Sequence, residues 1–430
     1  MKKLLLALIS VVFGGVSAFA QLSPFDENYP VGWASVGEEC TGSNDTNPVT
    51  VTTYDELKNA LQACKGGKAS KTIYISGNIE VPEKLRYDKM QNCTIYGLPG
   101  SSLYNRSHND NADNAGFFYC QNWHNVIMRN LTLLGAGAYD ISACDNIQLV
   151  ESDHIWIDHC DIQDGVDGNL DAKTKSDYLT ISWCKFSYLI APWAKAGESD
   201  DHRYCNTWGS SDGDTSSEGH LNTTFANCWW DEGCMERCPR VRFGKVHVVN
   251  CYYTNVGNHY SLGYGYKSNI YAENCWFADG VVVSKDYTTP KKGYGDYNLQ
   301  IVNCHNAADV RQNVGEIEYF IPSNYYQYSP YDTDLVPTVV GNEKTGAGAN
   351  LMVEVGKGVT GYADGSVVPE PDPDPIVDGI RSIENSELRI DKQGSAPTGK
   401  ANDDYYNLAG QRVGNDFKGI VVKDGKKLVK

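Results

Sequence analysis

Cysteine recurs at a near-constant interval along this chain, and that interval is the strongest constraint on its fold. Asn-Cys occurs at Asn92-Cys93, Asn227-Cys228, Asn250-Cys251, Asn274-Cys275 and Asn303-Cys304, after β-rich runs such as VHVVN and QIVN. His159-Cys160 and Trp183-Cys184 are further members in which another residue replaces asparagine. From Cys160 the steps are 24, 44, 23, 24 and 29 residues. Short strands at such a period, with no helix between them, define a solenoid. The all-β solution is a right-handed parallel β-helix, whose coils stack ~4.8 Å apart. Equal phase then means vertical stacking: an asparagine ladder, hydrogen-bonded along one bend, with a buried column of cysteines beneath it. The 44-residue step is one coil carrying an extra loop between Ile190 and Gly219.

That reading changes how the 14 cysteines are counted. Disulfides are the ordinary expectation for an exported chain. Seven cysteines, however, share the phase of the repeat, where a thiol behaves as a small apolar residue. A thiol column is favoured there, although adjacent rungs also permit bridging distances. Cys40, Cys64, Cys120, Cys144, Cys205, Cys234 and Cys238 are the better disulfide candidates, with no pairing legible. The absence of a CxxC pair argues against a zinc-thiolate site.

Export itself is read from the first 20 residues. Lys2 and Lys3 precede an apolar run from Leu4 to Val12 and small residues ending Ala18-Phe19-Ala20, the pattern of a signal peptide cut before Gln21. The run is shorter than the ~18 apolar residues of a membrane span. The mature chain is expected outside the cytoplasm, secreted or at the outer surface, as a monomer. Losing Lys2 and Lys3 takes the formal charge from −17 to −19, which excludes nonspecific attraction to nucleic acid. A polyanionic substrate would need a local cationic patch or a metal. One stretch reads as a helix, Thr53 to Cys64, with Thr53 as cap and Glu56 three residues on. The expected organisation is a β-helix over 21–366, an acidic proline-rich linker over 367–379, VVPEPDPDPIVDG, and a small β unit over 380–430.

Phase also locates a candidate site. Asp145 lies 15 residues before Cys160, Asp167 and Asp171 lie 17 and 13 before Cys184, and Arg237 lies 14 before Cys251. His220, 8 before Cys228, and Arg242, 9 before Cys251, form a second stack. Three carboxylates on a rigid face suit a hard, oxygen-seeking cation, for which calcium is the best match. The arginines can hold a carboxylate substrate. A solvated charged face is the plain alternative.

The stretch ERCPRVRFGKVHVVNCYY, Glu236 to Tyr253, resembles the arginine motif of the family 1 polysaccharide lyases, the pectate lyases. HIWIDHC, DGNLDAK, SDYLTISW and WGSSD resemble that family's other segments in order, and the likeness spans Val31 to about Cys304. It implies calcium ligands at Asp145, Asp167 and Asp171, a catalytic arginine at Arg237 and a substrate-binding arginine at Arg242. His220 stands where the resemblance leads us to expect a lysine. In the inserted loop, Lys195, Asp201, His202 and Arg203 include cations that would compensate for it. Asp158 and His159 fall half a coil away and read as structural. The implied reaction is β-elimination on polygalacturonate, with the carbon 5 proton made acidic by neutralising its carboxylate. Arginine is an awkward base because its guanidinium stays protonated; stabilising a carbanion while hydroxide takes the proton is the alternative role for Arg237.

Three other readings use the same residues. A hydrolytic polygalacturonase would use Asp167 and Asp171 as acid and base. A pectin lyase acting on methyl esters would have no use for an acidic metal cluster. A non-catalytic surface protein would stack sugars on Trp208, Tyr264 and Tyr266. Finally, YYNLAGQRV and GIVVKDGKK near the C-terminus resemble the sorting domain of type IX secretion in Bacteroidetes, with a hairpin turn at Asp424-Gly425.

Overall fold

The computed structural model describes residues 29–108, 111–139, 144–193, 201–308, 313, 314, 317 and 320–365, and four strands between 405 and 429. The expected signal peptide, the linker and Lys195 lie outside the described residues.

Parallel strands stack into three sheets, as the cysteine period requires. The first has 11 strands and contains Gln91–Gly97, His124–Arg129, Asp153–Asp158, Asp177–Ser182, Thr223–Ala226 and Lys245–Val249 in consecutive rungs. The second has 8, among them Ile147–Val150, Leu170–Lys173, Thr207–Trp208, Arg240–Val241, Leu262–Tyr264 and Ser284–Asp286. A third, also of 8, completes each triangular coil. Every pairing in these three sheets is parallel except that of the last short strand, Asn313–Val314. Inward positions fill a continuous column of Ile, Leu, Val, Phe and Cys. One end is covered by the helix Tyr54–Cys64, whose Thr53 cap accepts from the Glu56 amide and whose Leu57 and Leu61 are fully buried. No helix among the described residues is long and apolar enough to cross a membrane.

The bends explain the repeat. His159, Trp183, Asn227, Asn250, Asn274 and Asn303 all take left-handed backbone, φ 44 to 55°. Asparagine tolerates that region better than other residues bearing a Cβ. The cysteine that follows turns inward, and its thiol donates to a carbonyl one rung below, as Cys184 does to Ile157 and Cys228 to Ile181. Contrary to the expected ladder, the asparagine amides do not chiefly bond one another. Asn250 and Asn274 both donate to the Tyr331 carbonyl, and Tyr331 donates its hydroxyl to Asn227, so a later segment straps the ladder.

Three expectations are corrected. Asn92-Cys93 is out of phase: Cys93 pairs with Val126 near the start of its strand, whereas Cys160 and its successors follow the strand's end. The column therefore holds six cysteines, and a shared dipeptide did not guarantee a shared position. The seven disulfide candidates are thiols, as are the rest. Burial raises the Cys120 and Cys205 thiols well above their ordinary pKa. The extra length of the 44-residue coil is also divided, between the turn that follows Lys185–Ser187 and the turn from Thr207–Trp208 to Thr223–Ala226.

Residues 370–430 form a separate unit. Its four described strands are antiparallel, and Lys423 pairs with Lys426, which leaves Asp424-Gly425 between them.

Candidate functional site

Strand alternation on the second sheet sorts the residues that follow. Leu170 and Ala172 point inward, so Asp171 and Lys173 stand on the outer face. Register carries that outer face upward through Gln148, Asp171, Thr207, Arg240, Gly263 and Lys285. One column thus passes from a carboxylate to two cations over about four rungs, ~19 Å at 4.8 Å per rung.

Asp145 precedes this sheet on the rung below and is fully buried. Gly168 separates it from Asp171: a Cβ built there would lie 2.7 Å from Asp145 Oδ1 and 3.2 Å from Asp171 Oδ1. Asp145 Oδ1 is buried without a hydrogen-bond partner. Its other oxygen lies 3.4 Å from Lys173 Nζ, which also reaches Asp171 Oδ2 at 3.1 Å. Burial, then repulsion from Asp171, pushes the Asp145 carboxyl up to about 7. Burial opposes the charge of Lys173, but Asp145 and Asp171 more than offset it and raise its pKa. Lys84, also buried, stands near Asp145; burial lowers its pKa and Asp145 partly restores it.

Asp167 turns toward the inserted loop, where His202 Nδ1 is 3.1 Å from its Oδ1. Asp145, Asp167 and Asp171 share one neighbourhood, and all three act on Lys173 electrostatically. They do not form a group with ligand atoms within 4.8 Å of one another; among the described residues that group is His124, Asp153 and His154. The fit to a calcium ion rests on the chemistry of the cradle: all-oxygen donors, one orphaned oxygen, and a glycine where any Cβ would intrude.

The arginines approach from higher rungs of the same face. Arg237 donates from Nη1 to Thr207 Oγ1 at 3.0 Å and lies over the Tyr204 ring at 4.0 Å, with its Nε buried and unpartnered. Burial works to lower its pKa, but Asp171, Tyr260 and Asp167 outweigh burial and hold the guanidinium above its ordinary value. Arg242 donates from Nε to Asp212 Oδ1 at 2.8 Å and from Nη1 to the Gly209 carbonyl. The WGSSD segment thus supplies the carboxylate that orients this arginine. Gly263 and Gly265 leave the room the arginines need, since a Cβ at either would fall 3.0 to 3.1 Å from Arg240 or Arg242 Cγ.

His220 stands apart from the carboxylates: its Nδ1 is 3.4 Å from Asp177 Oδ2, at the start of a first-sheet strand. Sequence reasoning missed Arg240, which shares the column with Asp171 and stacks over Tyr287 at 3.9 Å. Burial, followed by the charge of Arg242, lowers its pKa. It also missed Lys173, although two-residue alternation from Asp171 would have found it. Asp158 and His159 are fully buried, with Asp158 bound by Arg129, His159 and Ser182. Trp208 and Tyr264 are core residues, which removes two of the three aromatics of the sugar-stacking alternative.

The family profile described as Pectate lyase matches residues 1–350. The chain is 32% identical to a probable pectate lyase B of Aspergillus terreus over 54% of its own length and 63% of that protein's. It therefore spans less than two thirds of that relative. It is 28% identical to a pectate trisaccharide-lyase of a Thermotoga species over 81% of its length and 95% of the relative's. Among solved structures, its fold resembles a pectate lyase of a Paenibacillus species, with TM-score 0.58 and 16% identity, covering 76% of this chain and 96% of that one.

Proposed function

The chain belongs to the pectate lyase family, and from that membership we propose that it is an exported, calcium-dependent pectate lyase that cleaves polygalacturonate by β-elimination. The observation that carries this reading is the pairing of an all-oxygen cradle around Gly168 with arginines on the same outer face. Hydrolysis would need an acid and a base free to act on a glycosidic oxygen and a water. Here Asp171 is tied to Lys173 and to the Thr207 amide, and Asp167 to His202.

Asp145, Asp167 and Asp171 would hold the ion, with Asp167 turning from His202. Bound calcium would neutralise the galacturonate carboxylate and so acidify the carbon 5 proton. Arg242, fixed by Asp212, binds a substrate carboxylate bidentately. Arg237 faces the reacting carbon. With Asp171 and Asp167 holding an ion, their part of the attraction that raises the Arg237 pKa would be relieved, which would favour the role of Arg237 in removing the proton or stabilising the developing charge. Arg240 and Lys285 extend the cationic column along the chain of uronates. Elimination then expels the oxygen on carbon 4 and leaves an unsaturated sugar end. His220 serves at the margin of this groove, held by Asp177. The 380–430 unit serves export as a type IX sorting tail, and the catalytic unit works as a monomer.

Mass spectrometry of the products on polygalacturonate tests the reaction class. Unsaturated oligogalacturonides are expected, with near-complete loss in a folded Arg237→Ala variant. Saturated products alone would replace this reading with a hydrolase.

A further inference from the structure

Far from the aspartate cradle, on the outer face of the first sheet, two imidazoles and a carboxylate meet. His124 Nδ1 and His154 Nδ1 each lie 2.7 Å from the same oxygen, Asp153 Oδ1. Their ligand atoms all fall within 4.8 Å of one another.

Local backbone explains the convergence. His124 and Asp153 are register partners on adjacent rungs, so their side chains stack. Asp153 and His154 are sequence neighbours, which a regular strand would send to opposite faces. His154 instead takes left-handed backbone at φ 50°, which breaks the alternation and returns its ring to the side of Asp153. The ring is then fixed by stacking on Tyr178, with centroids 4.7 Å apart.

The far nitrogens complete the pattern. His154 Nε2 lies 3.2 Å from the Val36 carbonyl, and His124 Nε2 lies 3.8 Å from Glu38 Oε1. An imidazole that donates its Nε2 proton to a carbonyl, as His154 does to Val36, can offer its Nδ1 to a metal, the outer arrangement typical of metal-ligating histidines, while Glu38 stands at ion-pair distance from His124. At 2.7 Å each Nδ1 shares a proton with Asp153 Oδ1, and a divalent cation would displace those two protons and take up the lone pairs they leave. Nitrogen donors select a borderline transition ion over calcium. His124 and Asp153 are 31% and 41% exposed, which leaves access for the ion and a coordinating water.

We propose that His124, Asp153 and His154 form a zinc(II) site, separate from the calcium cradle, in which Glu38 and Val36 orient the two imidazoles. Filling it requires only that donor atoms now 2.7 Å apart open to the ~3.3 Å spacing of tetrahedral zinc. Val36 and Glu38 belong to the segment whose Trp33 and Ala34 amides bond Thr224 and Thr180 on higher rungs. The ion would therefore pin that segment to the sheet.

The test uses the mature chain without a polyhistidine tag, stripped of metal and then saturated with calcium. Zinc chloride is titrated by calorimetry, and bound zinc is counted after gel filtration; cobalt(II) serves as a visible-spectrum probe of nitrogen ligation. We expect one zinc per chain, not displaced by excess calcium, a raised melting temperature, and at least tenfold weaker binding in His124→Asn and in Asp153→Asn. Asp145→Asn should bind zinc normally, and His124→Asn should still cleave polygalacturonate. The proposal falls if the wild-type chain takes up no zinc at micromolar concentration, if calcium displaces it, or if folded His124→Asn binds it like wild type with an unaltered cobalt spectrum. Loss of cleavage with zinc binding intact would count against the lyase reading instead.

Discussion

Gly168→Ala places a methyl group into the cradle without straining the backbone, because Gly168 lies outside the left-handed region. The new Cβ would stand 2.7 Å from Asp145 Oδ1, where ordinary contact begins at 3.4 Å. Asp145 must therefore retreat by ~0.7 Å, and its full burial leaves little space for that. Calcium–oxygen bonds span 2.3 to 2.6 Å, a tolerance of ~0.3 Å, so the displaced oxygen ceases to be a ligand. We expect calcium affinity to fall ~100-fold, equivalent to ~2.7 kcal/mol. Overpacking adds ~1–3 kcal/mol of destabilisation, read separately from thermal melts in chelator. The assay is the calcium concentration giving half-maximal release of ultraviolet-absorbing product from polygalacturonate, with calorimetry in parallel. A folded Gly168→Ala chain with unchanged calcium half-saturation would refute the assignment of this cradle.

Asp212→Asn keeps the shape of the partner to Arg242 but removes its charge; a charge-assisted bond is worth ~1.5–3 kcal/mol, so KM for polygalacturonate should rise about tenfold, with kcat and melting temperature much less affected. Steady-state kinetics would show otherwise if kcat alone fell. Asp161 offers a pH test away from the site: burial pushes its carboxyl up to about 6 from an ordinary 3.8. The folded state thus favours the protonated form, and this group removes stability as pH rises from about 4 to 6, then contributes a constant cost, up to ~3 kcal/mol. Asp161→Asn should flatten that part of the stability profile in urea melts at successive pH values and be more stable than wild type above pH 6.

The periodic part of this molecule was legible because coil length is set by backbone geometry, and phase alone brought Asp145, Asp171, Arg237 and Arg242 to one face. Phase failed where chain leaves the coil. Asp167 meets His202 and Arg242 meets Asp212 through turns whose paths no period encodes. Lys84 reaches Asp145 from earlier coils that lack the cysteine marker. Asn92-Cys93 shares the dipeptide but not the position, because the cysteine column begins only at Cys160, above Leu131. The seven thiols read as disulfide candidates were missed for another reason: compartment suggests disulfides, whereas these side chains are placed by stacking and burial, as the favoured thiol column already was. The zinc proposal depends on one left-handed residue, His154, whose conformation no alternation rule would anticipate.

The most direct measurement is the ultraviolet absorbance of polygalacturonate incubated with the mature chain, first in chelator and then with calcium restored. This account predicts no absorbance change in chelator and a steady rise once calcium is returned, absent in Arg237→Ala. Full activity in chelator, or cleavage without any new absorbance, would contradict it.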